Sequence, residues 1–277
     1  MSLRVLAASI SRAFVEKVSS EFTVVQKVNH DQLRDVVTPL DEQLHQIAEG
    51  FVASMMPGTR LLSEEGELTE VSAAELATGD FLVVDPLDGS NNVALGLPGF
   101  GFMAGHLRAG VLVGAVVVVP EQDLYLVVEG GELVTSQPVR LGAQAAANAS
   151  ASVYYAYPPH LSERGRVARG QVLDVIDART SGVYRSGSAC IGLFNLISGR
   201  HAAFVAHHVR LWDALGFLPV LSQLGYEVRY RVTPGSIVLV ASLSQKLCEE
   251  LAQALAADLE GPLSSFQRNN QVVVCDD

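Results

Sequence analysis

The sequence predicts an α/β (α+β) protein whose two halves are built differently, and three observations predict it. Residues 100–134 read as three strand-like runs, "FGFMAGHL", "VLVGAVVVV" and "LYLVVEGG", broken by Arg108-Ala109-Gly110 and Pro120–Asp123, which is the signature of an antiparallel meander. From residue 151 onward, strand-like and helix-like segments alternate, as in a mixed α/β layer. With 49% hydrophobic and 18% charged residues, the 277-residue chain has the material for a sizeable core and the opposite balance to a disordered one.

Taken in order, Leu3, Leu6, Ala7, Ile10, Phe14 and Val18 fall on one side of an amphipathic first helix. Thr38 suits an N-cap and Pro39 a first helical position, so a second helix starts there and leaves at Pro57-Gly58. A short strand over 59–62, the acidic loop "SEEGELTE" and a strand over 81–84 lead into the meander. The small, polar stretch 136–149 marks a boundary between an N-terminal subdomain, 1–139, and a C-terminal one, 140–277. The second half should run as strand "ASVYYAY", helix 162–177, the turn "YRSGSA", helix 189–198, strand "HAAFVA", helix 212–224, strand "SIVLVAS" and helix 243–257. A short loop, "YRVTPG", should follow the third of those helices, and "FQRNNQVVVCDD" is either a last strand or an unstructured tail. Two subdomains imply a cleft, where ligands usually bind.

Composition excludes several classes. The net charge of −11, with no Lys/Arg cluster, argues against a nucleic-acid partner. The N-terminal apolar run is too short and too interrupted for a signal peptide or a membrane span. Cys190, Cys248 and Cys275 are widely spaced with no CxxC pair, which excludes a disulfide framework and a structural zinc site of the usual cysteine spacing and fits a reducing cytosol.

Chemistry concentrates in "FLVVDPLDGSNN", residues 81–92. An apolar strand ends on Asp85 and Asp88, with Pro86 between them. In a tight turn, both carboxylates and the Leu87 carbonyl can converge on one point, an oxygen set suited to Mg²⁺. Gly89 frees the backbone so that the N–H groups of Gly89 and Ser90 could cradle an anion. Asp-Pro-Leu-Asp-Gly is also an ordinary turn sequence. Three further acidic sites stand at the ends of core elements: Glu64-Glu65 after a short strand, Asp41 three residues after Thr38, and Asp213 in "VRLWDALGF". Each has a plainer reading, as a solvated loop, a Thr-x-x-Asp capping box and a helix-dipole partner respectively.

Together, "VTPLD", "SEE", "DPLDGSNN", "GSACIGLFNLISGR" and "LWDALG" stand in an order that resembles the inositol monophosphatase family. This is the magnesium-dependent, lithium-sensitive phosphatase group that includes fructose-1,6-bisphosphatases and 3'(2'),5'-bisphosphate nucleotidases. The resemblance runs from about residue 35 to about residue 225 and implies a layered α-β-α-β-α sandwich of the sugar phosphatase type, with an antiparallel N-terminal sheet and a mixed C-terminal layer. It implies a first Mg²⁺ on Glu64, Asp85 and the Leu87 carbonyl, a second on Asp85, Asp88 and Asp213, and a third, looser ion near Glu64, with Glu65 supporting the cluster. Ser90, Asp41 and Glu64 would orient the attacking water; Gly89, Ser90 and the Ala214 amide would hold the phosphate; Ser188 or Arg185, and Arg210, would meet the substrate. A small phosphorylated metabolite as ligand, a homodimer (the apolar meander pairing across a two-fold) and a cytoplasmic location belong to the same expectation.

The chain departs from the family pattern at Asn91, at Leu215, which could narrow the pocket, and at "SQLGYEV", with Gln223 and Tyr226. These departures leave the alcohol half of the substrate open. Trp212 reads as packing, and His207-His208 as a solvated pair on a loop. An aspartyl-phosphate phosphatase would place two aspartates two apart rather than three. A non-catalytic phosphometabolite-binding protein is the alternative outside enzymes.

Overall fold

The computed structural model describes residues 2–17, 25–26, 36–66, 71–138, 151–233, 235–259 and 261–266. Its elements stack in the five expected layers. The outermost holds α1 (Leu3–Lys17) and α2 (Pro39–Met55), with a ribbon of β1 (Val25–Gln26) and β2 (Val36–Val37) between them in the chain. Leu6, Ala7, Ile10 and Phe14 of α1 bury the predicted stripe against Leu40, Leu44 and Ala48 of α2 and Leu82, Val84 and Phe102 of the sheet below. Val18 lies outside the described residues.

The first sheet places β3 (Arg60–Ser63), β4 (Asp80–Asp88), β5 (Gly101–Arg108), β6 (Val111–Val119), β7 (Leu124–Glu129) and β8 (Glu132–Thr135) side by side in chain order. Its pairs are antiparallel except β3–β4. There the chain crosses over through α3 (Ala73–Thr78), a short helix that the sequence reading missed.

The central layer holds α6 (Ala189–Ile197) and α7 (Phe217–Gln223), whose Leu193, Phe217, Leu218 and Leu221 share one apolar cluster with residues of both sheets. The second sheet runs β10 (Val183–Tyr184), β9 (Ser152–Ala156), β11 (His201–Val209), β13 (Ile237–Ser242), β12 (Glu227–Val232), β14 (Ser264–Ser265). It is mixed: β9 is parallel to β10 and β11, and the other pairs are antiparallel. On its far face, α5 (Glu163–Arg179) and α8 (Gln245–Leu255) close a third cluster through Val172, Ile176 and Leu251.

Several expectations change. The helix placed over 212–224 starts only at Phe217, because Pro219 has no N–H to bond back to residue 215, and residues 211–216 wind through turns instead. The segment after it is not a shortened loop: Glu227–Val232 is a strand that buries Val228, Tyr230 and Val232 and turns Glu227, Arg229 and Arg231 outward. The meander's apolar residues pack inside the chain, between the outer and central helices. The boundary stretch lies largely outside the described residues, as do residues 267–277. No helix among the described residues is long and apolar enough to cross a membrane.

Candidate active site

The strand expected to stop at Val84 continues as β4 through Pro86 to Asp88. Opposite it, Asp85 pairs with Met103 and Asp88 with Gly101, so three steps on β4 answer two on β5. The Asp-Pro-Leu-Asp segment is therefore a β-bulge and not a turn, and a bulge tolerates proline. Residues three apart on a regular strand face opposite sides. The extra residue lets Asp85 and Asp88 line the same cavity. Gly89 follows at φ 96°, where a Cβ would fall 2.7 Å from the Gly99 carbonyl, and it starts the short helix α4 (Ser90–Ala94).

Asp88 also reaches the second half of the chain. Its Oδ1 accepts from the Ala189 N–H (3.0 Å), and its Oδ2 accepts from the Cys190 N–H (2.6 Å) and the Ser188 hydroxyl. A carboxylate from the first sheet thus sits at the N-terminus of α6. Three of its roughly four acceptor positions are used, which leaves one for the cavity. Cys190, beneath this turn, packs so closely on β5 that a Cβ at Gly101 would run into its sulfur.

The other acidic residues arrive from separate elements. Glu64 and Glu65 follow β3 and line the cavity, with the Glu64 N–H extending the parallel pairing to the Val84 carbonyl (3.3 Å). Asp213 reaches it from the turns after β11. Asp41 stands one step back. Its Oδ2 accepts from the Thr38 N–H (2.7 Å) and hydroxyl (2.6 Å), closing the capping box of α2, while its Oδ1 accepts from Ser90 Oγ (2.7 Å). The plainer reading, a capping box, holds, and the same side chain also meets Ser90. Ser90 Oγ also lies 2.7 Å from the Leu87 carbonyl.

The cavity they share holds about 350 Å³ and takes residues from both halves of the chain. Its electrostatics are those of anions crowded together. Burial, and then the charges of Glu64, Asp88, Asp213 and Asp41, hold the Asp85 carboxyl well above the ordinary carboxylate range. Burial, and then Asp88, push Asp213 up to about 7. Burial raises Asp88 to about 6 despite its three hydrogen bonds. Burial likewise raises Asp41, against the bonds from Ser90 and Thr38.

Asp85 Oδ1 is buried and accepts no hydrogen bond among the described residues. A buried carboxylate oxygen left unpaired among other carboxylates is a costly arrangement that a cation would resolve. The donors are hard oxygens, which suit Mg²⁺. They are not drawn into one tight knot: among the described residues, only His207, His208 and Asp258 place three metal-type donor atoms within 4.8 Å of one another.

Not every expected residue meets the cavity. Ser188 is the N-cap of α6, accepting from the Ile191 N–H (3.2 Å) and donating to Asp88, so it positions that carboxylate and does not line the pocket. The Ala214 N–H is turned to the Leu211 carbonyl (3.4 Å), and the residue is fully buried, because the helix it was expected to start begins later. Leu215, expected to narrow the pocket, packs in the central cluster and does not line the cavity. Tyr226 donates to the Leu196 carbonyl (2.9 Å), and Gln223 lies away from the cavity. Trp212 is core packing, as expected. Arg185, stacked over Tyr157 at 3.9 Å, and Arg210, whose N–H donates to Asp213 Oδ2 (3.2 Å), both line the cavity. The sequence reading missed Tyr154, Tyr157 and Asn91 as lining residues. It also placed His207-His208 on a solvated loop, whereas both stand in β11 and His207 is fully buried.

A sequence model described as the inositol monophosphatase family matches residues 2–260. The chain is 31% identical over 194 residues to an inositol-1-monophosphatase of Rhizobium meliloti, which spans 69% of this chain and 70% of that protein. Its fold is that of the extragenic suppressor protein suhB of Bartonella henselae (TM-score 0.70, 21% identity, 91% of this chain and 96% of the other). It is also that of an IMPase/NADP phosphatase crystallised with Mg²⁺ and phosphate (TM-score 0.69, 16% identity, 96% and 97%).

Proposed function

As this chain belongs to the inositol monophosphatase family, we propose that it is a Mg²⁺-dependent phosphomonoesterase that hydrolyses an inositol phosphate or a related small sugar phosphate by direct attack of water. The observation that carries the reading is Asp85, buried with an unpaired oxygen in a cavity shared with Glu64, Asp88 and Asp213. Mg²⁺ and phosphate in a protein of the same fold support it. Glu64, Asp85 and the Leu87 carbonyl would hold one ion, and Asp85, Asp88 and Asp213 a second; Glu65 lies beside Glu64 to support a looser third. Bound Mg²⁺ supplies positive charge against the substrate dianion and lowers the pKa of a water molecule.

The chain's own groups do the rest. Ser90 Oγ donates to Asp41 Oδ1, so its lone pairs are available to take a proton from the attacking water as its own proton passes to Asp41. The two bonds from Thr38 fix Asp41 for this role, and burial makes it a better base than an exposed carboxylate. Gly89 and Ser90 line the cavity, where their amides would meet the phosphate oxygens, and Arg185 and Arg210 would approach the alcohol half from the second half of the chain. Buried, unpaired Cys190 and Cys248 support work in a reducing cytosol.

The test is phosphate release from inositol 1-phosphate, fructose 1,6-bisphosphate and 3'-phosphoadenosine 5'-phosphate, each with Mg²⁺ and with chelator. Turnover that survives the chelator would overturn the mechanism. Calorimetric binding without release from any of the three would make the chain a phosphometabolite-binding protein.

A further inference from the structure

A second set of donor atoms lies outside the carboxylate cluster. His207 and His208 are neighbours on β11, where successive side chains should face opposite sides of the sheet. A bulge removes that alternation: Ala206 pairs with Leu239 and Val209 with Ile237, so three steps on β11 answer two on β13. His208 adopts φ 52°, which is uncommon for any residue but glycine. Both rings therefore aim at one oxygen. His207 Nε2 lies 3.0 Å and His208 Nε2 3.1 Å from Asp258 Oδ2, contributed by the 3-10 turn after α8.

We propose that His207, His208 and Asp258 form a three-ligand site for a divalent transition metal, zinc above all, beside the cleft and separate from its carboxylates. Neighbouring ligands around a tetrahedral zinc with bonds of about 2.0–2.1 Å stand about 3.3 Å apart. The two N···O spacings here are slightly shorter than that, and the three donor atoms all lie within 4.8 Å of one another. Two imidazoles and a carboxylate suit zinc better than magnesium.

Each donor is also fixed from behind, as metal ligands characteristically are. His207 Nδ1 lies 3.0 Å from the Tyr155 hydroxyl, and His208 Nδ1 3.4 Å from Ser236 Oγ. Asp258 Oδ1 accepts from Ser162 Oγ at 3.2 Å. The tautomer with Nδ1–H donating to those hydroxyls is the metal-binding one, turning both Nε2 lone pairs inward; without metal, Nε2–H donates to Asp258 instead. Three protein ligands leave a further position open, and His208 itself lines the cleft. The competing account is a hydrogen-bonded His–Asp–His network, which predicts no affinity for zinc or cobalt.

The two accounts separate in one titration of the full chain, carried out in excess Mg²⁺ and followed by the visible d–d absorption of Co²⁺ with Zn²⁺ as competitor. Intense bands that saturate at a single Co²⁺, are displaced by Zn²⁺ and persist in Asp85→Asn are expected. Affinity should fall by about 100-fold or more in His208→Asn, which tolerates the backbone angle, and in Asp258→Asn. X-ray absorption of the zinc-loaded native chain should show imidazole scattering. No d–d bands, titrations unaltered in both variants, loss of the bands in Asp85→Asn, or an all-oxygen shell would each overturn the site.

Discussion

Strands β4 and β11 lie in different sheets and carry the same irregularity, an extra residue that turns side chains of opposite faces to one side. They differ in what the bulge gathers. On β4 it collects carboxylates, which stay spread along a cavity wall, raise one another's pKa and leave Asp85 Oδ1 without a partner among the described residues. On β11 it collects imidazoles around a single carboxylate, close together and each held by a hydroxyl. Like charges strain a site until a cation arrives, while two rings hydrogen-bonded to one anion are self-satisfied without it. The same backbone device thus serves one site that is unfavourable alone and another that is stable alone.

That contrast can be broken at four points. The largest effect should come from Asp85→Asn, which keeps the shape and removes the charge. Phosphate release from inositol 1-phosphate should fall by more than about 100-fold, beyond what changes behind the ligands cause. Melting of the metal-free variant should occur no lower than in the parent, because a buried unpaired charge has gone; a clear drop would show that Asp85 is structural.

Ser90→Ala comes next. It cuts the bond to Asp41, and kcat should fall by about 100-fold, the lower end for proton-transfer groups, with the Mg²⁺ dependence unaltered. Asp41→Asn should add little on top, since both act on one proton; additive losses would separate them.

The third point is pH. Asp88 and Asp213 are raised from 3.8 to about 6 and about 7, so the folded chain binds their protons more tightly than the unfolded chain does. Their stabilising contribution is fully present below about pH 4 and is lost as pH rises through about 7. Asp213→Asn should therefore gain more in Tm over the metal-free parent at pH 8 than at pH 5, and Mg²⁺ should narrow that gap. A gap independent of pH would remove the electrostatic account.

Smallest is Ser188→Ala, which removes the N-cap of α6 and one support of Asp88. It should cost about 1–2 kcal/mol by chemical denaturation while activity persists at saturating Mg²⁺. Loss of activity at every Mg²⁺ concentration would return Ser188 to the substrate.

Much of the acidic site was legible because each member stands at the end of an element: Glu64 after β3, Asp85 and Asp88 at the close of β4, Asp41 in a capping box. What was not legible depends on register. Nothing local in Asp-Pro-Leu-Asp distinguishes a bulge from a turn, since Pro86 suits both, and the pairing that decides it is made with Gly101 and Met103. The same holds for His207 and His208, whose shared partner Asp258 lies 50 residues from His208. Ser188 and Ala214 were misplaced for a related reason, their amides and hydroxyls being claimed by Asp88 and Leu211. The five layers were expected from a resemblance, and the alternating burial of β12 was present in "EVRYRV" without being read.

The thiol of Cys190 lies fully buried under the turn that Asp88 caps, against the backbone at Gly101, and burial and the nearby aspartates push its pKa well up. An alkylating reagent can meet it as thiolate only when α6 lifts from β5, so the speed of labelling is a stopwatch for how often the two halves part. Cys248, on the buried face of α8 in another layer, supplies the internal control. A substrate or ion that clamps the halves together should slow the first clock and leave the second running.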